Sequence, residues 1–126
     1  MKNFKKYYKL KTTPDQVYLG LTTELTIRLW SGEATKFIAE EGAEFSMFDG
    51  NILGKNIELI PGEKIVQQWY FGDQEDDSIV TFKLHEDKSN TSLELLHTNI
   101  PDEAFEDMVD GWNDVYMDRL MEFYYE

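Results

Sequence analysis

Hydrophobic and polar residues alternate along most of the chain between residues 34 and 98, with the repeat of two that is typical of β-strands. The alternating segments are separated by turn sequences such as DGN and PGE, in which glycine supplies a positive φ and proline presets the first turn position. A similar segment lies near the start of the chain. The pattern predicts seven strands, at about residues 3–11, 34–39, 43–48, 51–60, 64–71, 78–86 and 91–98.

Two short helices are predicted between the first and second strands. Thr13 is a suitable N-cap, Pro14 fits the first helical position, and Gln16 completes a capping box. We expect this helix to end near Leu21. A threonine of the following TT pair can cap a second helix that ends near Trp30, before the SGE sequence.

A long helix of about six turns is predicted from Pro101 to the end of the chain, because apolar residues recur there at helical spacing. The apolar stripe consists of Phe105, Met108, Val109, Trp112, Tyr116, Leu120 and Phe123. Gly111 interrupts it, and a glycine inside a helix costs about 1 kcal/mol relative to alanine. We favour a close approach of helix and sheet as the reason, with a kink that opens a pocket as the alternative.

This order of elements indicates a single α+β domain that comprises residues 1–126. An antiparallel sheet of seven strands has one face to cover, and only the long helix is large enough to cover it. The two short helices would close one end. A curved sheet wrapped round a helix often leaves a cavity between the two.

Composition and charge exclude several classes of function. The 126 residues include no cysteine, and the formal net charge of −13 disfavours nucleic-acid binding. No stretch has the roughly 20 apolar residues needed to span a bilayer, so we expect no membrane association and a cytoplasmic location. Lysines crowd the first eleven residues and acids crowd the last helix. This polarity is typical of solvated surfaces, and a docking surface for a partner protein is the alternative.

Alternation places a set of large side chains on the sheet face and the helix face that should meet. They are either an ordinary packed core or the lining of an apolar ligand pocket. The candidate cavity residues are Trp30, Phe45, Met47, Trp69, Phe82, Leu95, His97, Met108, Trp112 and Tyr116.

The titratable residues predict neither catalysis nor metal binding. His97 falls on the apolar face, either half-buried with a hydrogen-bonding partner or facing a ligand at the cavity mouth, whereas His85 falls on the opposite, exposed face. Two histidines on different faces cannot share a metal ion, and no cysteine cluster exists. Ser46 lacks the setting of a nucleophile, and no glycine loop precedes a helix to hold a phosphate. We therefore expect no catalytic residue, no metal site and no cofactor.

Four sequence segments together resemble those of a known family. They are TTPDQVYLGLTT with Trp30, GAEFSMFDGNILGKNIELIPGEKIVQQWYF, NTSLELLHTNIP, and Gly111 with Trp112 in the last helix. The chain resembles the activator of heat-shock protein 90 ATPase homologues, in particular the carboxy-terminal domain of the eukaryotic activator, over essentially its whole length. The resemblance implies a helix-grip fold of the START and Bet v 1-like superfamily. The eukaryotic activator has an additional amino-terminal domain, for which these 126 residues leave no room.

Two functions follow from the resemblance and the pattern. The first is a non-catalytic interaction module whose partner is a heat-shock protein 90-type chaperone. The alternative is a carrier or sensor that binds a small hydrophobic ligand in an enclosed cavity between the sheet and the last helix. An apolar cavity of a few hundred cubic ångströms would favour the second.

Overall fold

The computed structural model describes residues 1–72 and 76–125, which form one antiparallel sheet and a set of helices packed on it. The strand order in the sheet is β1-β6-β5-β4-β3-β2. The strands are β1 (Lys2–Leu10), β2 (Glu44–Met47), β3 (Ile52–Ile60), β4 (Lys64–Trp69), β5 (Ser78–Asp87) and β6 (Asn90–Ile100). The helices are α1 (Pro14–Thr22), α2 (Glu24–Ser31), α3 (Phe105–Gly111) and α4 (Met117–Phe123). The predicted α+β helix-grip architecture is thus confirmed.

The described sheet has six strands, because the predicted strand at residues 34–39 makes only an isolated bridge, between Lys36 and Ser46. Backbone groups beyond Lys36 are bound by side chains instead of a neighbouring strand. The Phe37 amide donates to Glu24 Oε1 over 2.8 Å, and the Ile38 carbonyl accepts from Asn56 Nδ2 over 3.0 Å. A ladder cannot extend when its donors and acceptors are already paired elsewhere.

The turn between β2 and β3 adopts an unusual backbone conformation that sets one wall of the site described below. Phe48, Asp49 and Gly50 all have positive φ, of 53°, 55° and 83°. The left-handed region is disfavoured for residues with a Cβ, by about 1–2 kcal/mol. Phe48 is nevertheless buried, with its ring 5.9 Å from Trp30 and 5.7 Å from Tyr116, so packing holds the turn in place.

Strand β3 approaches its neighbours so closely that only glycine fits at one position. A Cβ on Gly54 would overlap the Gln68 carbonyl oxygen and lie 2.8 Å from Phe45 Cζ. Gly54 pairs with Trp69 of β4, and Phe45 of β2 stands opposite Gly54 on the other side. The missing side chain therefore lets β2, β3 and β4 curve tightly around their buried face.

The two short helices are present after β1, as predicted. The N-cap role of Thr13 is confirmed, since its Oγ1 accepts from the Gln16 amide over 3.4 Å. Trp30 ties the second helix to the first, because its indole Nε1 donates to the Gly20 carbonyl over 2.7 Å.

The predicted C-terminal helix is present but is not uniform. A 3₁₀ turn at Asp102–Ala104 leads into α3, and a π-helical segment at Trp112–Tyr116 joins α3 to α4. We call residues 105–123 the C-terminal helix. It lies beside β1, where Lys6 Nζ and Tyr8 Oη both donate to Asn113 Oδ1, over 2.9 and 2.8 Å. No helix of the described residues is long and apolar enough to cross a membrane.

Candidate functional site

A groove of about 330 Å³ lies between the β2–β3 turn and the C-terminal helix, with its mouth open to solvent. Its walls and floor are mostly apolar. We define the groove by the residues that line it, which are Glu33, Phe48, Asn51, Ile52, Trp69, Met108, Gly111, Trp112, Val115, Tyr116 and Arg119.

Stacked aromatic rings form the floor of the groove and fill the space behind it. Trp69 of β4 stacks on Trp112 with ring centroids 4.9 Å apart and planes 22° apart. Tyr116 packs 4.7 Å from Trp112 and 5.0 Å from Trp30. Phe82 of β5 lies 5.9 Å from Trp112 on the sheet side. Ring pairs at these separations are favourable and rigid, so the floor is preformed.

A chain of buried amides holds Trp69 in this orientation. The Trp69 indole Nε1 donates to Gln67 Oε1 over 3.0 Å. The Gln67 amide nitrogen donates to Asn56 Oδ1 over 3.2 Å, and Asn56 in turn donates to the Ile38 carbonyl. Each buried polar atom along the chain gains a partner, which fixes the side chains by a mutually satisfied network.

His97 holds Trp112 in the same way from the other side. The Trp112 indole Nε1 donates to His97 Nδ1 over 3.0 Å, so Nδ1 is the acceptor and Nε2 carries the proton. Nε2 then donates to Ser78 Oγ over 2.8 Å, and Ser78 donates to the Thr98 carbonyl. Burial lowers the pKa of His97 to about 3, so the ring stays neutral. His97 is fully buried, so the predicted half-buried position is wrong, whereas the predicted hydrogen-bonding partner is present at both ring nitrogens.

Tyr116 brings a polar atom into this apolar setting. It is 4% exposed, and burial raises the pKa of its hydroxyl. Its hydroxyl makes no hydrogen bond with the protein over residues 1–72 and 76–125, although other buried polar groups of the site are bonded. A buried hydroxyl without a partner carries a free-energy penalty of about 1–3 kcal/mol.

An ion pair closes one end of the groove. Arg119 Nη1 lies 3.2 Å from Glu33 Oε2 and also donates to the Ser31 carbonyl. The guanidinium carbon stands 5.7 Å from the centre of the Phe48 ring. Arg119 therefore has its charge balanced within the protein and joins the C-terminal helix to the loop after α2.

The explanation that we favoured for Gly111, a close approach of the helix to the sheet, is wrong. A Cβ built on Gly111 would meet only Met108 Cε, at 3.9 Å, which is an ordinary contact distance. Gly111 instead lines the groove immediately before the π-helical segment. A π segment is a common feature of functional sites in helices.

The structure divides the ten predicted cavity residues into two groups. The groove is lined by Trp69, Met108, Trp112 and Tyr116. The other six are buried and do not line it: Trp30, Phe45, Met47, Phe82, Leu95 and His97. The pocket is also an open groove, whereas the sequence predicted an enclosed cavity. Ligand binding by any of the ten stays a prediction.

Some lining residues were missed by the sequence analysis. Phe48 and Ile52 flank the DGN turn, where alternation gives no indication of direction. Val115 follows Met108 by seven residues, so a helical spacing of i and i+7 could have placed both on one face. The spacing that we used to define the stripe passes through Val109, Tyr116 and Leu120 instead.

The second histidine, His85, does not line the groove. His85 is exposed, and its Nε2 lies 2.9 Å from Glu94 Oε1 on the outer face of the sheet. Across the two described ranges, no group of three or more His, Asp or Glu side chains is placed to hold a metal ion.

Residues 11–124 match the family described as Activator of Hsp90 ATPase homolog 1-like protein. The chain is 31% identical over 94% of its length to an activator of 90 kDa heat shock protein ATPase homolog from Dictyostelium discoideum. It is 28% identical over 86% of its length to homolog 2 from Mus musculus. It spans about a third of the length of these curated relatives, 32% and 34%.

Among solved structures, the fold matches a protein from Plasmodium falciparum that is described as an HSP90 activator. The TM-score is 0.89 with 25% identity, and the match covers 98% of this chain and 96% of the other. The family is named for activating the ATPase of another protein rather than for a reaction of its own. With nearly the whole chain matched, the protein belongs to the Activator of Hsp90 ATPase homolog 1-like family.

Proposed function

We propose that this protein is a non-catalytic partner of an Hsp90-type chaperone. The observation that carries the proposal is the match of residues 11–124 to a family named for activating that ATPase. The Plasmodium falciparum activator supports it further, because the match covers 96% of that chain.

The chemistry of the groove supports a binding role. Its floor is a rigid stack of indole rings, and the one histidine behind it is kept neutral with both nitrogens occupied. General acid–base catalysis needs a group that can exchange a proton with a substrate. Both ring nitrogens of His97 are bonded to other side chains, so neither is available for that exchange. A preformed, partly apolar surface is instead what protein recognition requires.

The test is the ATPase rate of a purified Hsp90-type chaperone from the same organism, measured with and without the full 126-residue chain. We expect binding by calorimetry with a Kd on the order of 10 μM or tighter, which corresponds to about −7 kcal/mol, and a changed ATPase rate. An unrelated acidic protein of similar size and net charge is the control for electrostatic effects. The proposal would be contradicted if the chain neither bound the chaperone nor changed its ATPase rate.

A carrier of small hydrophobic molecules stays the second candidate, because the groove is apolar and about 330 Å³ in volume. That volume lies at the lower end of ligand pockets, which start at roughly 300 Å³. Native mass spectrometry of the purified protein is the test. A co-purifying apolar molecule would favour the carrier, and a mass equal to that of the chain alone would count against it.

A further inference from the structure

Exposed aspartates stand along the groove on the C-terminal helix, and each immediately precedes a residue that lines it. They are Asp107, Asp110, Asp114 and Asp118, which come before Met108, Gly111, Val115 and Arg119. One residue turns a helix by about 100°. Each carboxylate is therefore about a quarter turn from the groove-lining residue that follows it, on the exposed side of the helix, and we call these four residues the acidic border.

The carboxylates of the acidic border are not neutralised by ion pairs in the described part of the chain. Over residues 1–72 and 76–125, none of its four aspartates makes an ion pair, whereas Arg119 is already paired with Glu33. Asp110, Asp114 and Asp118 are also spaced four residues apart, so neighbouring carboxylates repel one another along the helix. A cationic group supplied from outside would relieve this repulsion.

The groove next to the acidic border is lined mostly by apolar side chains. Ile52, Trp69, Met108 and Val115 present apolar surface there, with the mouth open to solvent. Tyr116 also lines the groove and is 4% exposed. A bound segment could therefore gain an apolar contact in the groove, together with ion pairs at its border.

We propose that the groove and its acidic border bind a basic amphipathic segment of a partner protein. An apolar side chain of that segment enters the groove over Trp69, and its lysines or arginines face the aspartates. This inference rests on the proposed role as an interaction module, but it does not require that the partner be the chaperone. Attraction between unlike charges also speeds association and selects partners by charge.

Two other occupants fit the observations less well. An uncharged small molecule would leave the acidic border unpaired. A second copy of this chain carries a net charge of −13, and its basic strand β1 is already engaged. Lys5 pairs with Glu94, Lys9 pairs with Asp87, and Lys6 donates to Asn113 within one molecule.

The probe is a synthetic peptide of leucine and lysine at helical spacing, titrated into the full chain and followed by chemical shifts of the groove residues. A matched peptide with glutamate in place of lysine is the control for apolar binding alone. We expect the lysine peptide to bind at least tenfold more tightly than the glutamate peptide. We also expect its affinity to fall as salt is raised, because exposed charges are screened.

Gly111 lines the groove and offers a position from which a larger side chain can be introduced. Gly111→Leu adds a side chain where only Met108 Cε lies within 4 Å, at 3.9 Å, and leucine is a better helix former than glycine. We expect it to weaken binding of the lysine peptide at least tenfold. Gly111→Ala is the matched control, and it should keep the affinity within about twofold because it adds one carbon.

The acidic border is tested by neutralising two of its charges. The double variant Asp114→Asn with Asp118→Asn should weaken the lysine peptide about tenfold and reduce its salt dependence. Its control, Glu63→Gln with Glu86→Gln, makes the same change in net charge at exposed positions that do not line the groove. That control should change the affinity less than threefold.

Several outcomes would overturn the proposal. Equal affinities for the two peptides would remove the role of charge, and wild-type affinity in Gly111→Leu would place binding outside the groove. A co-purifying small molecule or a dimer that Gly111→Leu abolishes would assign the groove to that occupant instead. If the lysine peptide binds Gly111→Leu with wild-type affinity while the chaperone still binds, the groove proposal fails and the proposed function stands. If only the peptide binds, the proposed function fails and the groove proposal stands.

Discussion

The two halves of the C-terminal helix share one apolar stripe in sequence, yet the structure uses them differently. No residue of α3 is fully buried. The following π segment and α4 bury Trp112, Tyr116, Met117 and Leu120. The second half is the part that the sheet holds most closely, although it also lines the groove, whereas the first half lines the groove and has no fully buried residue.

This difference shows that hydrophobic periodicity does not separate a core contact from a binding surface. Met108 and Trp112 are both large, apolar and placed on the same stripe. Trp112 is 1% exposed because β4 and β5 reach it, whereas Met108 is only partly buried. We infer that the second half supplies most of the stability as well as part of the groove, whereas the first half contributes to the groove and little to stability. Four predictions test this division.

The largest effect is expected from acid, through His97 behind the second half. Burial lowers the pKa of His97 from its ordinary value of 6.5 to about 3 in the folded protein. Between pH 6.5 and pH 3, the ring is therefore protonated in the unfolded chain but neutral in the folded protein. Stability conferred by the neutral ring is fully present above pH 6.5 and falls by roughly 5 kcal/mol toward pH 3. Urea unfolding of wild type and His97→Gln from pH 7 to pH 4 measures it.

The comparison with the variant isolates this proton from the many carboxylates that titrate in the same range. We expect the wild type to lose about 1.4 kcal/mol per pH unit more than His97→Gln well below pH 6.5. His85→Gln, on the exposed face, should follow the wild-type curve closely. Parallel curves for wild type and His97→Gln would contradict the prediction.

Removing the central ring of the second half should have the next largest effect. Trp112→Ala deletes the stack on Trp69 and leaves His97 Nδ1 without its donor. We expect a loss of roughly 3–5 kcal/mol in the free energy of unfolding, as for other buried aromatic truncations. Thermal and urea unfolding would measure it, and a loss below about 1 kcal/mol would show that the second half is not the gripped part.

Truncation in the first half should cost much less. Met108→Ala removes a partly buried side chain at a groove that is already open, so little new cavity forms. We expect a loss of about 1 kcal/mol in unfolding free energy, near the average for single substitutions. The same urea experiment applies, and a loss equal to that of Trp112→Ala would erase the proposed distinction between the halves.

The smallest change is expected at Gly111, and its sign is opposite. Gly111→Ala adds a methyl group that meets only Met108 Cε at 3.9 Å. Alanine has a higher helix propensity than glycine, so we expect a gain of up to about 1 kcal/mol in stability. Thermal unfolding measures the gain, and a lower melting temperature would show that the π segment requires glycine at this position.

Much of the fold could be predicted because the chain's local patterns agree with its tertiary structure. The alternation of β4, with Ile65, Gln67 and Trp69 facing inward, appears directly in the burial of that strand. The helix start at Thr13 and Pro14 also depends on neighbours only a few residues away. Signals of this kind can be recognised within a short window of the sequence, without knowledge of the tertiary structure.

The missed features depend on contacts between residues that are distant in sequence. The segment at 34–39 alternates correctly, but Glu24 and Asn56 take its backbone groups, and neither choice is visible in the segment itself. The full burial of His97 likewise depends on Ser78 and Trp112. The wall of the groove at the β2–β3 turn was missed because Phe48, Asp49 and Gly50 have positive φ, which alternation cannot orient.

The stacked indoles of Trp69 and Trp112 give the protein an optical reporter of its own state. All three tryptophans lie around Tyr116, and none is exposed to water by more than 5%. Two such chromophores at 4.9 Å interact electronically, so their near-ultraviolet circular dichroism and emission depend on that separation. Any movement of the helix away from the sheet can therefore be followed by light, without attaching a label.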